Sequence, residues 1–215
     1  MKKYAFLSLT LLLLLLIACK PSPPAVIIVG EREVVNGDTI YPTVPDFAFV
    51  NQDSVLISNA TFEGKIYVTD FFFTHCPSIC PLMSKQMLRL YKKFENDDRV
   101  VLLSHSIDPK RDTVGRLKWY ADNLGVKAPK WHFVTGDKNM IYDIAEKYYS
   151  IRPEEDNDAP GGFSHDAAFI LVDKNRHIRG TYDSNGFPQG RFNGTSPEDV
   201  DRLMQTIDLL LEEEY

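Results

Sequence analysis

Phe71-Phe72-Phe73-Thr74-His75-Cys76-Pro77-Ser78-Ile79-Cys80-Pro81 is the stretch on which the fold of this 215-residue chain turns. The β-branched and aromatic run Ile66-Tyr67-Val68 leads into the three phenylalanines, which predicts a buried strand. From Pro81 the pattern turns helical, with Leu82, Met83, Met87, Leu90, Tyr91 and Phe94 recurring at three- and four-residue steps. Cys76 and Cys80 therefore sit where a strand hands over to a helix N-terminus. Free backbone N–H groups and the positive end of the helix dipole favour thiolate over thiol at such a place.

Downstream, strands and helices alternate. Arg99–Ile107 reads as a buried strand that Asp108-Pro109 stops. Asp112-Thr113 can cap a helix whose inner face is Val114, Leu117, Trp119, Tyr120 and Leu124, with Gly125 as its stop. Lys130–Thr135 is a short strand, and Gly136-Asp137 starts a helix through Tyr148. Residues 151–164 read as a polar, acidic loop with a solvated face at 154–158. Ala167–Asp173 is a buried strand, and Lys174-Asn175 turns it into an antiparallel partner, His177–Tyr182. Ser196-Pro197 opens a last helix that buries Val200, Leu203, Met204, Ile207 and Leu210. Trp119 and Trp131 are expected in or near the core. The order βαβαβαββα predicts an α/β domain of thioredoxin-like fold over residues 45–215, with additions at its N-terminal side.

Upstream lies a different kind of sequence. Lys2 and Lys3 precede an apolar run from Phe6 to Ile17, which is the pattern of a secretory signal over residues 1–18. Cys19, directly after Leu16-Ile17-Ala18, resembles the lipobox cysteine of bacterial lipoproteins. That resemblance implies cleavage before Cys19 and lipid attached to its thiol. An uncleaved membrane anchor is the alternative, and both place the domain outside the cytoplasm at the bacterial cell membrane. Residues 19–44 read as an extended tether, in which Val26-Ile27-Ile28-Val29 could be a strand, running into an N-terminal β-hairpin turning at Asn36-Gly37-Asp38. The formal charge of −6 comes with no basic tract, which argues against nucleic acid as a partner. Three cysteines are too few for a disulfide scaffold in a chain of this length.

The cysteine pair has the spacing Cys-x-x-x-Cys. On one helix the two thiols would share a face about one turn apart, which suits convergence on one metal ion and also permits a disulfide. Thiol reductases of this fold space their cysteines one residue closer. Such enzymes also place a cis-proline just before the strand that corresponds to Ala167–Val172, and His165 stands there instead. Two thiolates and one imidazole with an open position suit Cu(I), and could also hold Cu(II) or Zn(II). His75 is a candidate fourth ligand. His105 becomes a candidate only if it lies near the site. A structural disulfide, or a loop histidine capping a backbone group, is the plainer alternative.

Three motifs together, Phe71-x-x-Thr74-x-Cys76-Pro77-x-x-Cys80-Pro81, Ser106-Ile107-Asp108-Pro109-Lys110-Arg111-Asp112-Thr113 and Ser164-His165-Asp166, resemble the SCO/SenC family over roughly residues 45–212. The resemblance implies a membrane-tethered thioredoxin-like domain that binds one copper through Cys76, Cys80 and His165. It implies a metallochaperone, rather than an enzyme, that assists assembly of the dinuclear copper site of cytochrome c oxidase subunit II. Another copper chaperone or a thioredoxin-like reductant would be a further partner. The alternative is a thiol–disulfide oxidoreductase in which Cys76 attacks and Cys80 resolves, reducing the cysteines of that copper site or other extracytoplasmic thiols. Two positions depart from the family pattern. Ser78 stands where Asp is frequent, and His105 where a small or apolar residue is common.

Overall fold

The structure is a computed structural model that describes residues 25–215. The expected signal segment and Cys19 lie outside the described residues. Three parallel strands form the centre: β6 (Ile66–Phe72), β7 (Val100–Ser106) and β8 (Trp131–Thr135). Every residue of the three is buried, as parallel strands covered on both faces require, and this explains why they read as unbroken apolar runs.

Helices α1 (Ile79–Lys93), α2 (Val114–Leu124) and α3 (Lys138–Tyr149) follow these strands in turn. Phe72, Trp131 and Phe133 pack against Tyr91 of α1 and Tyr120 of α2 on one sheet face. On the other face Phe71 and His105 pack against Tyr149 of α3. Thr113 caps α2 by accepting from the Arg116 N–H, and Gly125 closes that helix in the left-handed conformation at φ 71°.

Antiparallel strands flank this centre. β11 (Ala168–Val172) pairs with β6, and β12 (Ile178–Tyr182) pairs with β11. On the far side β4 (Ala48–Asn51) pairs with β8, and β5 (Leu56–Ser58) with β4. Two short strands, β13 (Pro188–Gln189) and β14 (Phe192–Asn193), add to β12 and β11. Helix α4 (Pro197–Glu214) starts on Ser196, whose hydroxyl accepts from the Asp199 N–H. It buries all five of the residues expected of it. The order of strands and helices is that of the expected thioredoxin-like domain.

Some details add to the expectations and some differ from them. Ile27–Ile28, within the run Val26–Val29 that could be a strand, is an edge strand, β1, paired with β12, so the domain's sheet takes in residues ahead of position 45. The hairpin itself is present as β2 (Glu33–Val35) and β3 (Asp38–Ile40), turned by Asn36 and Gly37 at positive φ. The acidic loop contains a second small hairpin, β9 (Glu154–Glu155) with β10 (Phe163–Ser164). Trp119 and Leu82 face solvent, about half exposed, whereas Trp131 is fully buried. The exposed Trp119 lies under the Arg116 guanidinium, 4.1 Å from its ring centre. No helix among the described residues is long and apolar enough to cross a membrane.

Candidate metal centre

Helix α1 begins two residues before Pro81, so Cys80 occupies its first turn. Its backbone N–H is one of the donors a helix start leaves without a partner inside the helix. It points at the Cys76 sulfur, 3.4 Å away. The Ser78 side chain makes no cap, so the Cys76 sulfur stands in for one. The Ser78 hydroxyl lies 3.6 Å from the same sulfur. Pro81 sits where its missing N–H costs nothing.

The pair is electrostatically unequal. Cys76 is held well below the ordinary thiol range, chiefly by the hydrogen bond from the Cys80 thiol and further by backbone N–H groups, against a smaller opposing effect of burial. Cys80 is pushed up by that same hydrogen bond and by burial. One thiolate therefore faces one thiol. Both cysteines are free. Alkylation of Cys76 by iodoacetamide should keep its rate as the pH falls from about 8 to about 5, where an ordinary thiol loses about tenfold per unit. The check is the pH–rate profile of the reduced protein, and an ordinary thiol profile would contradict the assignment.

His165 reaches the pair from the other side of the cleft. The hairpin β9–β10 carries the chain to it. Phe163 packs on Phe73 at 5.3 Å between ring centres, and the His165 ring stands edge-on to Phe73 at 6.1 Å. The close fit needs Gly161, whose φ is +86°. A Cβ there would lie 2.7 Å from the Phe73 ring and 3.0 Å from the His75 carbonyl oxygen. The His165 Nδ1 lies 2.9 Å from the Asp166 carbonyl oxygen, which only accepts. In a neutral ring Nδ1 therefore carries the proton, and Nε2, without one, lies 3.3 Å from the Cys80 sulfur.

Ligand atoms of Cys76, Cys80 and His165 all lie within 4.8 Å of one another, the one such trio among the described residues. All three residues expected from the sequence thus meet. Two sulfurs and an imidazole nitrogen brought together in this way make a soft donor set. The same unequal thiols could also attack and resolve a disulfide.

The other histidines stay out of this cluster. His105 is fully buried on the sheet face that packs α3. Its Nδ1 lies 3.0 Å from the Thr69 hydroxyl, its ring stacks on Phe71, and burial depresses its pKa to about 3. It is a neutral core residue and no ligand of the site. His132 pairs with Asn51 on the same face of the sheet. His75 is exposed beside Cys76 and is not one of the converging trio.

Two carboxylates at the site were not legible as such. Asp70 is buried beside Ser104, whose hydroxyl donates to it, and burial raises its pKa to about 6. Its field reaches both Cys80 and His165. Of the pair Asp112-Thr113 expected to cap α2, Thr113 makes the cap and Asp112 turns inward. Fully buried, it accepts from the Thr74 N–H at 3.0 Å, the Thr74 hydroxyl and the Ser106 hydroxyl at 2.6 Å. It thereby holds the loop that carries Cys76.

Comparison with known proteins agrees with this geometry. The family model for SCO1/SenC matches residues 37–193. The SCO1 protein homolog of Bacillus subtilis (strain 168) is 34% identical over 141 residues, covering 63% of this chain and 70% of that protein. A protein of Stutzerimonas stutzeri described as copper-binding is 26% identical over 140 residues, covering 64% of this chain and 67% of that protein. Among solved structures, BsSco, a member of the Sco family of cytochrome c oxidase assembly proteins, superposes with a TM-score of 0.63 at 27% identity, covering 77% of this chain and 91% of that one.

Proposed function

Because the chain belongs to the SCO1/SenC family, we propose that it binds copper through Cys76, Cys80 and His165 and serves the assembly of cytochrome c oxidase. The observation that carries this is the convergence of two free sulfurs and one Nε2 lone pair, with Cys76 and His165 each oriented by a backbone hydrogen bond. The donor set fits the metal: thiolates prefer soft Cu(I), and an imidazole accommodates Cu(II) as well. Bound copper would supply a centre open to ligand exchange. The protein's part is to hold Cys76 deprotonated through the α1 N-terminus, to keep the His165 tautomer, and to shield one side with Phe73.

The finer assignment is delivery of one copper to the dinuclear copper site of subunit II, from a domain tethered by lipid on Cys19 outside the cytoplasm. The B. subtilis relative, described as an SCO1 homolog, and BsSco, described as a member of an oxidase-assembly family, support the partner. The signal-like residues before Cys19 support the tether. Titrating the reduced protein with copper should saturate at one equivalent per chain. With Cu(II) it should show a sulfur-to-copper charge-transfer band. Saturation without that band would remove the cysteines from the site.

The unequal thiols favour a second reading, thiol–disulfide exchange, with Cys76 attacking and Cys80 resolving. Under it, Cys80→Ser should accumulate a mixed disulfide with a partner thiol protein in the absence of copper. A variant that traps nothing would leave copper binding as the sole role of the pair.

A further inference from the structure

His75 sits one residue before a thiolate, with its side chain 44% exposed. Its Nδ1 lies 3.2 Å from the Thr74 hydroxyl oxygen. That oxygen has only one proton to give. Its proton goes to the buried Asp112 carboxylate, which accepts and cannot donate. The Arg116 Nε–H donates to the same oxygen at 2.9 Å. The remaining contact leaves one arrangement for a neutral ring: His75 donates Nδ1–H to Thr74. Nε2 is then a bare lone pair, and among the described residues it has no hydrogen-bond partner.

A carboxylate, here acting through one hydroxyl, that fixes an imidazole tautomer is the arrangement that orients histidines toward metals. Yet His75 is not one of the three groups that converge, so it is not needed to hold a resident ion. Cys76 and Cys80, by contrast, are buried, and copper brought by another molecule must reach them from outside. His75 is exposed on the loop that carries Cys76.

We infer that His75 is a transfer ligand: its Nε2 takes copper from an incoming donor and passes it to Cys76, Cys80 and His165. This rests on the copper reading above. A bond from Nε2 to copper forms as one donor ligand leaves. The Cys76 sulfur then binds and the His75 bond breaks. Cys80 gives up its proton to solvent as it joins. Copper keeps its oxidation state throughout, so no oxidant or reductant is required.

The test uses the full chain, reduced, in detergent, with Cu(I) offered as its coloured bicinchoninate complex. Loss of colour gives the rate of uptake, and the final partition gives the affinity. His75→Ala should slow uptake about 10-fold while leaving affinity within about twofold. Thr74→Val, which removes the hydrogen-bond acceptor, should slow uptake too, and Thr74→Ser should restore it. An unchanged rate in His75→Ala overturns the inference. Affinity falling in step with rate also overturns it, because His75 would then be a resident ligand.

Long-range proton–nitrogen NMR of the copper-free protein supplies an independent readout. It should show the His75 proton on Nδ1 in the wild type and on Nε2 in Thr74→Val. A wild-type ring protonated on Nε2 overturns the inference without touching the copper reading. A wild type that takes up no copper at all overturns both.

Discussion

His165→Ala should lower copper affinity by more than about 100-fold and leave the fold intact. Loss of a group that merely supports a ligand costs about 10- to 100-fold, and His165 is placed as the ligand itself. It presents Nε2 at 3.3 Å from the Cys80 sulfur, with Nδ1 committed to the Asp166 carbonyl. Two thiols remain in the variant, so some Cu(I) binding survives at lower affinity. His165 is only partly buried and fills no cavity, so the thermal midpoint without copper should stay near that of the wild type. Competition for Cu(I) against a chromophoric chelator measures the affinity. A change of less than about threefold, or about 0.7 kcal/mol, would remove His165 from the ligand set. His165→Met, which offers a soft thioether in place of the imidazole, should recover Cu(I) binding better than Cu(II) binding.

Asp112→Ala should destabilise the protein by about 3 kcal/mol or more. The carboxylate is fully buried and receives three donors, the Thr74 N–H, the Thr74 hydroxyl and the Ser106 hydroxyl. Removing it leaves the buried Ser106 hydroxyl and the two half-buried Thr74 donors without their acceptor, and a buried donor left unsatisfied costs about 1–3 kcal/mol. Asp112→Asn keeps the volume and one acceptor oxygen, so it should lose less. Urea unfolding of the reduced, copper-free protein gives the stabilities. An unchanged midpoint in the Ala variant would mean that water reaches the site and replaces the carboxylate. Copper affinity should fall as well, by about 10-fold, because Thr74 is two residues from Cys76 and the loop loses its main anchor. The stability loss is thus coupled to function through one short segment, Thr74-His75-Cys76.

Asp112 also shows where inference from sequence stops. Ahead of a helix, Asp-Thr reads as a cap, and Thr113 does cap α2. Whether the neighbouring Asp turns outward to the helix or inward to another loop is set by what packs behind it. Thr74 lies 38 positions away, and local pattern carries no signal across that span. Trp119 and Leu82 make the same point. Trp119 stands two residues from each of the buried Leu117 and Ala121, which turns it to the opposite side of α2, and Leu82 likewise lies off the face of α1 that Met83, Met87 and Leu90 bury. His105 is the converse case. A histidine within a strand can face either side of the sheet, and the alternation of β7 places this one among Phe71, Phe49 and Tyr149, away from the cysteines.

The strand–turn–helix around Cys76 and Cys80 was determined by the sequence alone. An unbroken apolar run, two prolines and a helical period leave the local chain little choice, and the alternation of later elements sets the fold class. His165 could be nominated from its place before a buried strand, and its family motif supported the choice. Only the tertiary structure decided how the three groups are oriented. The Cys76 sulfur takes the helix N–H, Nδ1 of His165 takes a carbonyl, and Gly161 lets two loops meet within contact distance. Those are short-range contacts between segments 85 residues apart, as in the approach of Cys80 to His165. They exist only once the sheet has closed and buried both, because hydrogen bonds and van der Waals contacts act over a few ångströms of space irrespective of separation along the chain.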